Sequence, residues 1–226
     1  MGIESVLYVS FIIGDMYVFE YSAYTAIIKY FSIILCFCFS IFNKEVIVDR
    51  SKYKIITWAI GFAVMADGFL LFSDCFIPGL GLFIAVQICY ASFLNGKNGI
   101  KLIVKVIGGI GITTILLSVF CLQLIDFTIV LASIYFVCLV TNLVVAIRKI
   151  KQNVLIGHRN HVLFTIGLFL LLLCDIHVGV NNLGSYFELD KYNWLNSWVS
   201  FAQIAMWLFY LPSQILIMFS TRKLKK

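Results

Sequence analysis

Charged residues are scarce in this sequence, and so are the residues that usually separate domains. Asp, Glu, Lys and Arg make up 12% of the chain, only two prolines occur, and no Ser/Gly-rich or charged linker interrupts it. Soluble domains carry about 25% charged residues. A soluble enzyme and a second, soluble domain are therefore excluded, and we predict a single integral membrane domain over residues 1–226.

The motifs of several enzyme classes are also missing. The sequence has no Gly-x-Ser-x-Gly, no His-Glu-x-x-His and no Walker loop. Only three histidines occur, and His158 and His161 belong to a predicted loop, so a His-rich metal site cannot be built. The seven cysteines lack the Cys-x-x-Cys spacing of zinc sites, and most lie in apolar runs. We predict no metal and no organic cofactor.

Long apolar runs take up most of the chain. Hydrophobic residues make up 62% of it, and its mean hydropathy is +1.02. A membrane span needs about 20 predominantly apolar residues. The runs predict an all-α polytopic transmembrane helix bundle with about eight spans, or seven if residues 1–22 do not span. The candidate spans are approximately 3–19, 23–42, 54–74, 78–95, 100–119, 126–147, 161–182 and 195–218.

The basic residues fall on alternate loops between these spans. Fifteen of the 17 lie after the second, fourth, sixth and eighth spans or close beside them. The positive-inside rule then predicts that these loops and the C-terminus are cytoplasmic. Topology and contact with anionic inner-leaflet lipids explain the net charge of +6, so we predict no nucleic-acid partner. The oligomeric state is left open.

Two carboxyls lie within the predicted spans. Asp67 and Asp175 each sit about two-thirds of the way along an outward-running span, which places them at similar depth. Ionisable groups inside a membrane are costly and usually functional. One Asp in a span is more often structural, whereas two at matched depth favour a shared site. The other polar candidates are Lys29, Gln87, Tyr90, Asn181, Asn182, Tyr210 and Gln214.

Each of these polar candidates has a structural alternative. Lys29 can snorkel toward the membrane surface, and Asn181 and Asn182 can cap the outer end of their span. Tyr90 and Tyr210 can be interfacial aromatics, although both lie deep for that role.

Four segments together resemble the YhhN family, the bacterial and animal lysoplasmalogenase-type membrane proteins. The segments are Ala-Asp-Gly-Phe-Leu-Leu-Phe at 66–72, Gly-Leu-Gly-Leu-Phe at 79–83 with Gln87 and Tyr90, Gly-Leu-Phe to Cys-Asp at 167–175 with Asn181, and Tyr210 with Gln-Ile-Leu-Ile at 214–217. The sequence departs from the family pattern at four positions. Gln87 stands where the family usually has His, Ala66 where it has Gly, Cys174 where it has Ser, and Tyr30 where Pro is common.

The resemblance implies hydrolysis of the vinyl ether bond of lysoplasmalogens, giving an aldehyde and a glycerophospho-base. Asp67 and Asp175 would be the catalytic acid and base, since burial favours a neutral carboxyl that can donate a proton. The other polar candidates would bind substrate. The implied partners are a lysophospholipid substrate and membrane lipids, and the implied location is a bacterial cell membrane.

Two other functional classes stay open. A proton- or cation-coupled transporter or channel could use the intramembrane Asp residues to carry its ion. A non-catalytic membrane protein of the same fold could use Asp67 and Asp175 only for helix packing.

Overall fold

The computed structural model describes most of the chain, and every regular element in the described part is an α-helix. The described residues are 23–42, 49–73, 75–121, 126–152, 158–183 and 193–222. The seven helices are α1 Ala23–Phe42, α2 Arg50–Phe72, α3 Phe76–Asn95, α4 Lys97–Cys121, α5 Phe127–Lys151, α6 His158–Leu183 and α7 Asn193–Phe219.

Six of these helices are long and apolar enough to cross a membrane, judged by length and composition. They are α1, α2, α3, α5, α6 and α7. The helical membrane bundle predicted from the sequence is therefore confirmed. Helix α4 coincides with the predicted span at 100–119, and its side chains are described as far as residue 114. The candidate at 3–19 lies outside the described residues, so the count of eight spans stays a prediction.

The helix ends follow local rules of the sequence. The side chain of Asp49 accepts hydrogen bonds from the amides of Ser51 and Lys52 and so caps α2, and Asp126 caps α5 in the same way through Thr128. Between α3 and α4 the chain turns at Gly96, whose φ of 56° is a left-handed conformation that glycine adopts without strain. One residue therefore suffices to join the two helices.

The tightest packing joins α6 to α7, the helix pair with the most extensive contact. Gly167 of α6 makes this approach possible. A Cβ atom there would lie 2.7 Å from Cγ1 of Ile217 and 3.1 Å from the carbonyl oxygen of Ser213, both on α7. Small residues let membrane helices approach each other closely. This contact fixes α7, which carries Tyr210 and Gln214, against the helix that carries Asp175.

The outer surface of the bundle is apolar. Large side chains such as Trp58, which is 65% exposed, and Ile112, which is 63% exposed, face outward with no covering helix among the described residues. An apolar surface of this extent needs lipid around it.

Hydrogen bonds join neighbouring helix ends on one side of the bundle. Arg222 follows α7 and donates a 3.1 Å hydrogen bond to the carbonyl oxygen of Phe39 at the end of α1, and its guanidinium lies 4.2 Å from the centroid of the Phe39 ring. Asn160, near the start of α6, donates to the carbonyl oxygens of Ser220 and Arg222. Lys149 at the end of α5 donates to the carbonyl oxygen of Leu94 at the end of α3.

These ends are the ones that the charge pattern assigns to a single side of the membrane. The geometry therefore agrees with the predicted alternation of the loops. That this side faces the cytoplasm stays a prediction from the charge rule.

Candidate functional site

A tyrosine hydroxyl holds the Asp67 carboxyl inside the bundle. Tyr210 of α7 donates a 2.7 Å hydrogen bond to Oδ2 of Asp67 on α2, and the pair is buried, with 5% of Asp67 and 6% of Tyr210 exposed. Because buried polar groups are stable only when hydrogen-bonded, this contact explains how a carboxyl is tolerated there.

The second carboxyl is held in the same way by two other helices. Tyr135 of α5 donates a 2.8 Å hydrogen bond to Oδ2 of Asp175 on α6, which is partly buried. Tyr135 is not among the residues that the sequence analysis selected. The signal that could have found it is its spacing of seven residues from Asn142, which places two polar side chains on one face of α5.

Cys174 and Tyr90 connect the two Tyr–Asp pairs. The Cys174 thiol lies within electrostatic range of both Asp67 and Asp175. Tyr90 of α3 interacts electrostatically with Asp175 and with the tyrosines of both pairs. The two carboxyls therefore belong to one polar cluster, which α2, α3, α5, α6 and α7 build together.

Gln87 lies one helical turn before Tyr90 on the same face of α3, and it is counted with this cluster for that reason. The Gln87 side chain is fully buried. Nδ2 of Asn142 on α5 donates to the backbone oxygen of Gln87 at 2.9 Å and to Oε1 of Gln87 at 3.0 Å. The bond to Oε1 orients the carboxamide, so that Nε2 is the end that remains for another partner. Asn142 was not predicted either, although it is an amide within an apolar run, which is the signal that selected Gln87 and Gln214.

Three fully enclosed polar atoms of the cluster have no hydrogen-bond partner among the described residues. They are Nε2 of Gln87, the hydroxyl oxygen of Tyr90 and Oε1 of Gln214. The side chain of Gln214 lies close enough to the Tyr90 hydroxyl to interact with it, yet neither this hydroxyl nor Oε1 of Gln214 makes a hydrogen bond of normal geometry. An unsatisfied buried polar group costs about 1–3 kcal/mol. These atoms are therefore suited to bind a further polar group.

The remaining candidates lie at the edge of the cluster or away from it. Lys29 is buried on α1, with Nζ 5.2 Å from the centroid of the Trp207 ring, and Trp207 packs edge-on against Tyr210 at 5.4 Å. Asn182 is exposed, and its amide donates to the carbonyl oxygen of Val178 one turn earlier on α6. Asn181 is partly buried beside it. The structure brings Tyr210 to Asp67, Tyr90 within electrostatic range of Asp175 and Gln214 to Tyr90, and it leaves Asn182 facing outward.

The chemistry of the cluster is that of carboxyl, phenol and carboxamide groups. Within the described ranges, no three His, Cys, Asp or Glu side chains converge as metal ligands would. His177 turns away from the cluster, with Nδ1 2.7 Å from the carbonyl oxygen of Leu173 and its ring against Phe201 and Phe209. The arrangement can transfer protons and can hydrogen-bond an uncharged polar group.

Comparison with known proteins gives one match. The model of the YhhN family matches residues 24–221, a range that contains every residue of the cluster. No curated protein and no solved structure matches the chain.

Proposed function

Because the chain belongs to the YhhN family, a lysoplasmalogenase-type family of membrane proteins, we propose that it hydrolyses the vinyl ether bond of lysoplasmalogens inside the membrane. The observation that carries this proposal is the pair of carboxyls, Asp67 and Asp175, each held by a tyrosine hydroxyl within one polar cluster of the bundle. Vinyl ether hydrolysis needs an acid that protonates the β-carbon and a base that takes a proton from water. Two carboxyls can supply both.

In the first step, the neutral carboxyl of one Asp donates its proton to the β-carbon of the vinyl ether. The double bond supplies the electron pair for the new C–H bond, and the carbon next to the ether oxygen becomes part of an oxocarbenium ion. The second Asp is ionised, and its negative charge stabilises this cation. Paired carboxyls serve oxocarbenium chemistry in the same way in glycosidases.

In the second step, water adds to the oxocarbenium carbon while the ionised Asp takes its proton, which gives a hemiacetal. The hemiacetal then breaks its bond to the glycerol oxygen. That oxygen takes the proton from the second Asp, and the hemiacetal hydroxyl returns a proton to the first. The products are an aldehyde and a glycerophospho-base, and both carboxyls regain their starting forms. General acid–base catalysis of this kind contributes roughly 10²–10⁴-fold to the rate.

The tyrosines orient the carboxyls for these transfers. Each phenol donates to Oδ2, which leaves Oδ1 to exchange a proton with substrate or water. Because each carboxyl has its own tyrosine, the two can differ in protonation without losing their position. The substrate is an amphiphile with one apolar chain, and it enters from the bilayer.

The deciding experiment uses purified protein in lipid nanodiscs and follows aldehyde release from an alkenyl lysophospholipid. The matched control is the saturated alkyl ether with the same headgroup, which cannot form the oxocarbenium ion by protonation and should stay intact. Well-folded protein that releases no aldehyde would overturn the proposal. Flux of protons or cations through proteoliposomes would then favour a transporter, and its absence would favour a non-catalytic role.

We place the protein in a bacterial cell membrane with its C-terminus in the cytoplasm.

A further inference from the structure

Three unpartnered atoms in the cluster carry a more specific inference, which rests on the proposed function. Nε2 of Gln87, the Tyr90 hydroxyl and Oε1 of Gln214 are all shielded from solvent, and their residues are at most 1% exposed. The bond from Asn142 to Oε1 of Gln87 holds the carboxamide so that its free end is a donor. Tyr90 lies within electrostatic range of Asp175, Gln214 lies beside Tyr90, and Gln87 precedes Tyr90 by one turn on the same face of α3.

The donors and acceptors in this set define the group that fits it. Gln87 offers N–H, Tyr90 offers O–H, and Gln214 offers a carbonyl oxygen that can only accept. A group that both accepts and donates, without charge, satisfies all three. An alcohol hydroxyl has this property. A phosphate at this position would leave Gln214 without a donor, and no cation among these three side chains would balance its charge.

We propose that Gln87, Tyr90 and Gln214 bind the free hydroxyl of the glycerol unit of a single-chain ether lipid. In such a lipid the free hydroxyl and the ether oxygen are attached to adjacent carbons of the glycerol unit. A site for the hydroxyl beside the carboxyls therefore places the vinyl ether next to its acid. The hydroxyl accepts from Tyr90 and Gln87 and donates to Gln214.

This site makes the protein selective for lipids with one chain. Acylation of the hydroxyl removes the only hydrogen that Gln214 can accept, and it adds a chain to a site whose three residues are at most 1% exposed. The buried oxygen of Gln214 is then left unpaired. Sites built to hydrogen-bond a substrate hydroxyl discriminate strongly against analogues that lack it. Gln87, where the family usually has His, takes part here as a hydrogen-bond donor that does not titrate.

The test measures binding of ligands that cannot be hydrolysed, so it does not depend on catalysis. The ligands are saturated alkyl ether glycerophospholipids with a free hydroxyl, a methoxy group or a hydrogen at the same carbon. Their Kd values are measured with the full-length protein in nanodiscs. We expect the methoxy compound to bind roughly 10-fold more weakly than the hydroxyl compound, and the deoxy compound roughly 100-fold more weakly, because they lose one and then all of the hydrogen bonds.

Two variants assign the bonds to individual residues. Gln214→Leu should weaken binding of the hydroxyl compound and leave the methoxy compound unchanged, since methoxy has no hydrogen to donate. Tyr90→Phe should weaken both and leave the deoxy compound unchanged. Tyr53→Phe is the matched control, because Tyr53 is also buried but donates to the carbonyl oxygen of Ser40 at the far end of α2. It should leave all three Kd values unchanged.

The outcomes separate this inference from the proposed function. Equal Kd values of wild-type protein for the three ligands overturn the hydroxyl site, whether or not the protein releases aldehyde, and assign the three atoms to bound water. Preference for the hydroxyl compound without aldehyde release supports the site and overturns the hydrolase. If a variant does not fold, the comparison of the three ligands on wild-type protein still tests whether the hydroxyl site exists.

Discussion

Tyr210 and Asp67 are hydrogen-bonded at 2.7 Å although 143 positions separate them in the chain. The bond joins α7 to α2 and places the Asp67 carboxyl in a fixed orientation. Tyr135 and Asp175 repeat the relationship at 2.8 Å between two other helices. The site is thus made of two similar units that share the residues between them.

Replacing either carboxyl should abolish hydrolysis. Asp67→Asn and Asp175→Asn keep the shape and can still accept from the tyrosines, but an amide cannot exchange the proton or carry the charge. We expect aldehyde release to fall by at least roughly 10²-fold in each. Because the two act as a unit, the double variant should lose little more than either single one. Variants that fold and keep near wild-type turnover would place the chemistry elsewhere.

Removal of one tyrosine hydroxyl should slow the reaction without abolishing it. In Tyr210→Phe, Asp67 keeps its carboxyl but loses the donor to Oδ2, so we expect kcat to fall roughly 10-fold, the equivalent of one buried hydrogen bond. The thermal unfolding temperature is measured alongside. Tyr53→Phe removes a buried hydroxyl at the other end of α2, and if it lowered kcat equally, the effect would reflect stability rather than orientation.

Substitution of Gln87 by His should add a titrating group without removing the donor. A neutral imidazole can accept from Asn142 through one nitrogen, as Oε1 of Gln87 does now, and it offers an N–H on the other, as Nε2 does. We expect Gln87→His to retain or raise turnover at neutral pH and to add a limb to the pH–rate profile between about pH 5 and 8, where imidazole titrates. Gln87→Leu should instead weaken substrate binding. A pH–rate profile identical to that of wild type would show that position 87 is not close to the reacting groups.

The contact of α6 with α7 depends on the absence of a side chain at Gly167. Gly167→Ala places a methyl group 2.7 Å from Ile217 and 3.1 Å from a backbone oxygen, so we expect it to destabilise the protein by about 1–3 kcal/mol. Gly179→Ala is the control on the same helix, since nothing lies within 4 Å of its Cβ position. Thermal unfolding in detergent compares them. Equal stability of the two variants would contradict the close approach.

The charge pattern predicts the side of the membrane on which the joined helix ends lie. Single cysteines introduced into a variant without native cysteines, at 43–53, 95–100, 147–160 and the C-terminus, should react with a membrane-impermeant reagent only after the cell membrane is opened. Cysteines placed at 184–192 should react in intact cells. Two or more positions of the first group that react in intact cells would invert the topology.

The sequence was sufficient to identify most residues of the cluster. It was not sufficient to predict which of them are hydrogen-bonded to each other. Carboxyls and amides inside apolar runs are conspicuous because membranes exclude them, and this led to Asp67, Asp175, Gln87 and Gln214. Tyr135 was missed although it lies within a predicted span, as Tyr90 and Tyr210 do, and donates directly to Asp175.

Partner choice depends on how each helix is rotated about its axis, and packing sets that rotation. The matched depth of the two carboxyls predicted that they share a site. It did not predict that each would have its own phenol, or that Cys174 would lie within range of both. Asn182 shows the converse case. Its spacing of seven residues from Asp175 indicates the same helical face, yet it lies exposed and bonds to its own helix.

The separation of Tyr210 from Asp67 along the chain has a consequence for biosynthesis. Chains grow at about 5–20 residues per second, so the carboxyl of α2 precedes its phenol by roughly 7–30 s. During that interval, helix α2 is in the translocation machinery or the bilayer without the partner that makes Asp67 tolerable there. Asp175 follows Tyr135 by only 40 positions, and its donor is made first. Assembly is therefore complete only when α7 has been made. A chain that ends before α7 leaves Asp67 without its hydrogen-bond donor, and quality-control proteases can recognise this unpaired acid.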